Sequence, residues 1–168
     1  MRHHVVAAFL AIILFLAPAA ARADDPATDI GYRGWGPRLG LTFDPDQFHV
    51  GAHMDFGNFA RRVRFQPNIE IGLGSDLTLV TANADAAYRF RDRWDIWTPY
   101  LGGGVGLVFV DRGNSGLGDD TNTELAASIL GGVDRGLSNG DRFFLETKLG
   151  LTDWAPDVML TLGWTFYH

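Results

Sequence analysis

The sequence predicts an all-β fold: an eight-stranded antiparallel up-and-down transmembrane β-barrel. Three observations predict it. Beyond residue 23, no stretch reaches the ~20 consecutive apolar residues that a membrane-spanning helix needs. From residue 35 onward, segments of roughly ten residues alternate apolar with polar or small side chains, and turn residues separate them. Aromatic side chains gather near the ends of those segments, where the two interfaces of a bilayer would lie.

The first 23 residues stand apart. Arg2 gives a positive start, Val5 to Leu16 is an unbroken apolar run, and Pro18 interrupts it. Ala21-Arg22-Ala23 then offers the small-x-small pattern that a signal peptidase reads. The run is too short to cross a bilayer as a helix. Residues 1–23 are therefore expected to be a cleaved signal peptide, with Asp24 as the mature N-terminus. Residues 24–34 are polar, include Pro26 and Gly31, and read as a periplasmic lead-in, leaving 35–168 for the barrel. Loss of Arg2 and Arg22 lowers the basic count from 14 to 12 against 20 acids, a net charge of −8. That balance argues against nucleic acid as a partner, which calls for a basic patch. The absence of cysteine excludes a disulfide framework and a thiolate metal site.

The segments follow in order. In 35–43, Leu39, Leu41 and Phe43 share a face, and Asp44-Pro45-Asp46 ends the run. In 47–56, Phe48, Val50, Ala52, Met54 and Phe56 alternate with His49, Gly51, His53 and Asp55 before Gly57-Asn58. In 62–73, Val63, Phe65, Pro67, Ile69, Ile71 and Leu73 alternate with Arg64, Gln66, Asn68, Glu70 and Gly72. In 77–91, Val80, Ala82, Ala84, Ala86, Tyr88 and Phe90 oppose Thr81, Asn83, Asp85, Ala87 and Arg89. Leu77 and Leu79 fall out of phase there, which predicts a bulge near Thr78 to Val80 or a shifted strand boundary.

In 97–110, Leu101, Val105, Leu107 and Phe109 oppose Tyr100, Gly102, Gly104 and Gly106, and a polar loop at 111–122 follows. In 123–134, Leu125, Ala127, Ile129 and Val133 oppose Glu124, Ala126, Ser128 and Asp134. In 142–151, Phe143, Leu145, Thr147, Leu149 and Leu151 oppose Phe144, Glu146 and Lys148. In 158–168, Val158, Leu160, Leu162, Trp164 and Phe166 oppose Met159, Thr161, Gly163, Thr165 and Tyr167. Mostly short joints favour antiparallel neighbours in sequence order.

The polar faces decide which side meets lipid. A narrow barrel in a membrane fills its bore with side chains, and charges there need partners. Arg64, Arg89 and Lys148 are expected to pair with Glu70, Asp85, Glu124 and Glu146 in a lumen network. Glycines 102, 104 and 106 leave room for the longer side chains. Trp35, Phe43, Phe48, Phe56, Phe90, Trp97, Phe109, Phe143, Trp164 and Phe166 are expected to form aromatic girdles at both ends.

The last strand, Leu160-Thr-Leu-Gly-Trp-Thr-Phe-Tyr-His168, resembles the C-terminal signal of outer-membrane barrels. Pro99-Tyr-Leu-Gly-Gly-Gly-Val-Gly-Leu107 looks like a strand of the small outer-membrane β-barrel family that includes OmpA, OmpX and the opacity proteins. The resemblance covers about 35–168. It implies a Gram-negative outer-membrane location, a periplasmic N-terminus, and insertion by the outer-membrane assembly machinery through Gly163, Trp164, Phe166, Tyr167 and His168. The family usually ends on an aromatic, and here His168 comes last. With that orientation the outer loops fall at 44–47, 74–76, 111–122 and 152–157.

No catalytic, cofactor or metal site is expected. His49 and His53 share a strand face but lie roughly 13 Å apart, too far for one ion. Asp119, Asp120 and Asn122 lack calcium-loop spacing. Ser128 faces inward, and the His-x-Ser-Asn pattern of lipid A deacylases is absent, which argues against a lipid hydrolase. Gly34-Trp35-Gly36 faintly resembles the lipocalin Gly-x-Trp start, so a soluble ligand-binding barrel is the rival fold. The expected role is a monomeric structural or interaction protein whose partners are outer-membrane lipid and lipopolysaccharide.

Overall fold

The computed structural model describes residues 28–74, 78–90, 96–111, 122–153 and 155–168. The expectations for the signal peptide, for Leu77, and for Asp119 and Asp120 lie outside these residues. Eight strands form: β1 (Asp29–Phe43), β2 (Gln47–Ala60), β3 (Val63–Leu73), β4 (Thr78–Arg89), β5 (Thr98–Asp111), β6 (Asn122–Gly136), β7 (Arg142–Gly150) and β8 (Val158–Tyr167). Each pairs antiparallel with its neighbours in sequence, and β8 closes on β1.

The stagger of the closure sets which interior residues meet. Hydrogen-bonded partners can be followed from Arg38 through Gly51, Glu70, Thr81 and Val108 to Glu124 on β6. Followed the other way, through Gly163 and Phe144, the path reaches β6 at Asp134, ten residues further along. Such a shear requires strongly tilted strands and a bore only wide enough for side chains.

Alternation along each strand separates two environments. Leu41, Ile69, Leu101, Val105 and Leu125 are exposed on the outer wall, whereas Arg38, His49, Glu70, Asp134 and Thr165 are almost completely buried inside. A water-soluble barrel has the reverse distribution.

Three sequence expectations are corrected. β1 begins at Asp29, so the second half of the supposed lead-in is strand. Asp29 and Ile30 pair with Asn58 and Gly57 on a β2 that itself runs on to Ala60, and Arg33 ion-pairs with Asp29. This extension is exposed on both faces, and its alternation, Ile30 and Tyr32 against Asp29, Gly31 and Arg33, is too short to stand out. Second, β4 carries no bulge: it pairs with β3 and β5 without a register shift. Leu79 points into the lumen in phase with Thr81 and Asp85, as an apolar residue on the otherwise polar face. Irregular register occurs instead in β1 between Ile30 and Gly34, where it pairs with β2, and in β2 against β3, beside Gly57 at φ 71°.

Third, the aromatics are unevenly shared between the ends. At the end bearing both termini, Trp97, Phe143, Trp164, Phe166 and Trp35 make successive ring contacts. Phe59, Phe65, Phe56 and Tyr32 continue the series there, with Tyr88 against Phe90. The opposite end has Phe43, Phe48 and Phe109 among the described aromatics.

Candidate functional site

The lumen holds the molecule's concentrated chemistry, in two ionic tiers separated by rings. In the tier nearer the termini, Asp134 of β6 accepts from Arg64 Nη1 at 3.1 Å and from Arg89 at 2.6 and 2.9 Å. Arg142 lies 3.2 Å from Asp55 and donates to Thr165 Oγ1 at 3.0 Å. The Tyr167 hydroxyl donates to Asp55 at 2.8 Å. His53 Nε2 meets Thr165 Oγ1 at 2.8 Å.

The rings come next. Phe144 is fully buried, with His53 edge-on at 5.2 Å and the guanidinium groups of Arg38 and Arg142 over its face at 5.8 and 5.7 Å. Arg64 lies 5.0 Å over the Tyr100 ring. These stacked cations gain from the ring quadrupole once water is excluded.

Beyond the rings, Arg38 bridges two carboxylates, with Nε 2.6 Å from Glu70 and Nη2 2.9 Å from Glu146. Tyr100 donates to the other oxygen of Glu146 at 3.0 Å. Lys148 Nζ and Asn68 Nδ2 both donate to Asp85 Oδ2 at 2.7 Å. His49 lies between the hydroxyls of Thr42 and Thr161, at 2.8 and 3.0 Å.

The expected network residues are thus distributed as follows. Asp85 and Lys148 meet each other; Glu70 and Glu146 meet through Arg38; Arg64 and Arg89 meet through Asp134. Glu124 stands apart, half-buried and in register with Val108, while the bases expected to pair with it are engaged elsewhere. Sequence reasoning did not single out Arg38, Arg142, Asp55 or Asp134 as network members. Their inward position on alternating strands was the available signal; the pairing itself depends on the stagger. Five carboxylates (Asp55, Glu70, Asp85, Asp134 and Glu146) face five bases (Arg38, Arg64, Arg89, Arg142 and Lys148), so this core of the lumen is electrically balanced. Breaking one of the fully buried pairs, such as Lys148–Asp85, strands a charge, which costs about 3–5 kcal/mol.

Of the C-terminal residues, Trp164 and Phe166 point outward within the aromatic series, and Gly163 and Tyr167 face inward. Gly163 has no side chain because a Cβ there would run into the Phe144 ring. His168 is exposed, and its N–H donates to the Arg33 carbonyl at 3.3 Å. Ser128 faces inward on β6, in register with Gly104 and Gly150. No group of three His, Asp or Glu residues suited to a metal ion occurs among the described residues.

Fold and lumen together define a class: a narrow, closed, up-and-down barrel that is apolar outside and ionic inside. Among solved structures it is similar to Neisserial surface protein A (NspA), with TM-score 0.60 and 17% identity, covering 82% of this chain and 96% of that one. It is also similar to the Yersinia pestis outer membrane protein Ail, solved in a phospholipid bilayer nanodisc, with TM-score 0.50 and 8% identity over 81% of this chain and 99% of that one. A de novo designed protein, TMB2.3, solved by NMR in solution, matches with TM-score 0.50 and 11% identity over 85% and 98% of the two chains. At these identities the likeness concerns the fold. No protein-family model and no curated protein matches the sequence.

Proposed function

We propose that the chain is a structural or interaction protein of a Gram-negative outer membrane, exported by residues 1–23 and inserted as a monomeric barrel. One observation carries this reading: the wall that faces outward is apolar along all eight strands, while the charges turn inward and pair. Exposed leucine, isoleucine and phenylalanine on that scale are stable against hydrocarbon, not water. The dense aromatic series at the end bearing the termini suits an interface. The partners this supports are outer-membrane lipid and lipopolysaccharide, together with the assembly machinery reading Gly163, Trp164, Phe166, Tyr167 and His168. Among the described residues, His49 and His53 are engaged with threonine hydroxyls inside the lumen.

Fractionation tests the reading. The mature chain should remain with outer membranes after a carbonate wash and migrate differently on a gel before and after boiling. Recovery in the soluble periplasm would favour a lipocalin-like binding barrel. An altered lipid A acyl pattern on overexpression would favour a lipid hydrolase.

A further inference from the structure

At the end remote from the termini the β4–β6 side of the lumen turns apolar, while Thr42 and Gln47 keep the β1–β2 side polar and Glu124 lies in register with Val108. There Leu79, Val108 and Val110 are buried against one another, with Ala126 packed on them. Met159 and Ala155 are buried beside them. The β7–β8 segment is tied across this mouth: the Leu151 N–H donates to the Ala127 carbonyl at 2.8 Å, and the Asp157 N–H to the Asp44 carbonyl at 3.2 Å.

Directly inward lies a cavity of about 20 Å³, room for about one water. Val108, Met159 and Ala155 line one part of it; Thr81, Asn83 and Lys148 line another. Deeper still, His53 Nδ1, Gln66 Nε2, Asp85 Oδ1 and Arg142 Nε are buried without a protein hydrogen-bond partner among the described residues. Buried polar atoms of this kind take ordered water. The boundary between an apolar layer and a water-seeking one therefore falls at Val108.

Close-packed apolar side chains in a narrow bore disfavour water there. Excluding bulk water also keeps the local dielectric low and the ion pairs strong. We propose that Leu79, Val108 and Val110, closed over by Ala155 and Met159, form a hydrophobic seal that bars water and solutes from entering the ionic lumen at this mouth. The seal belongs to the barrel's interior. It is therefore decided separately from the barrel's cellular location.

The absence of native cysteine makes a single reporter possible. Thr81→Cys places a thiol on the inner side of the seal, at a buried position. The full mature chain, folded in micelles, is treated with a small cationic methanethiosulfonate reagent, and the heat shift on a gel verifies folding of each variant. With the seal intact the thiol should stay unreacted until the barrel is unfolded. Adding Val108→Thr, which keeps the volume but wets the layer, or Leu79→Ala, which opens it, should speed labelling about tenfold or more, equivalent to ~1.4 kcal/mol off the opening free energy. Val108→Ile should preserve protection. The proposal is overturned if Thr81→Cys reacts as fast with the seal intact, or if both seal variants are folded and leave it unreacted. Should Leu79→Ala not fold, Val108→Thr alone decides.

Discussion

Arg38 shows what one residue does in this lumen. It is about 1% exposed and binds Glu70 and Glu146 on strands β3 and β7. Its removal strands two carboxylates at once, so Arg38→Ala should cost at least the ~3–5 kcal/mol of a broken buried pair. The urea midpoint of the heat-shift transition should fall accordingly, and Arg38→Lys should recover only part, since an ammonium lacks the fork that reaches both acids. At the surface, Asp141 behaves differently. The Trp164 indole N–H at 3.1 Å and Asn139 at 2.7 Å hold its carboxyl below the usual range. A depressed value means the stabilisation is present above the ordinary carboxylate pKa of about 3.9 and disappears as pH falls through the folded value. Asp141→Asn should therefore lower the unfolding midpoint at neutral pH and make little difference in strong acid. Little of this was legible beforehand. Arg38 lies between Pro37 and Leu39 in a segment where only the apolar face stood out. Its partners on β3 and β7 are set by a stagger that no single strand encodes.

At the scale of elements, alternation was legible because its period of two survives in every strand, and all eight were countable. What failed were places where alternation is short or interrupted. The start of β1 carries only Ile30 and Tyr32 as apolar positions, too short a run to stand out as alternation. Leu79 breaks the pattern because the lumen is locally apolar, not because the strand slips. The β7–β8 pair shows a constraint of another kind. Phe144 and Gly163 are register partners, and the ring occupies the space above the glycine. Gly163→Ala should thus cost about 1–3 kcal/mol of overpacking. Pairing it with Phe144→Leu should restore part of that loss. A double-mutant cycle on urea unfolding would show coupling of about 0.5–3 kcal/mol, whereas additive losses would place the two side chains out of contact.

For the whole molecule, the balanced lumen displaces the net charge to the ends of the barrel. Among the described residues, the end remote from the termini carries the acids Asp44, Asp46, Glu124, Asp153 and Asp157, while the end bearing the termini carries Arg33, Arg61, Arg62 and Arg135 against Asp29 and Asp141. Neither end is asked to sit in hydrocarbon, and the wall between them carries no described charge at mid-strand. That wall makes the sharpest test of the architecture. Val105 lies midway along β5, outward-facing and 62% exposed. On a water-exposed surface Val105→Arg would shift stability by no more than about 0.5 kcal/mol. Facing the middle of a bilayer it should cost about 2–4 kcal/mol, and the same change near the rim much less. Urea unfolding in lipid vesicles, read by the heat shift, separates the two. A neutral Val105→Arg would mean that this apolar wall meets something other than lipid, because no arrangement of the lumen compensates an arginine placed on the outside of the strand.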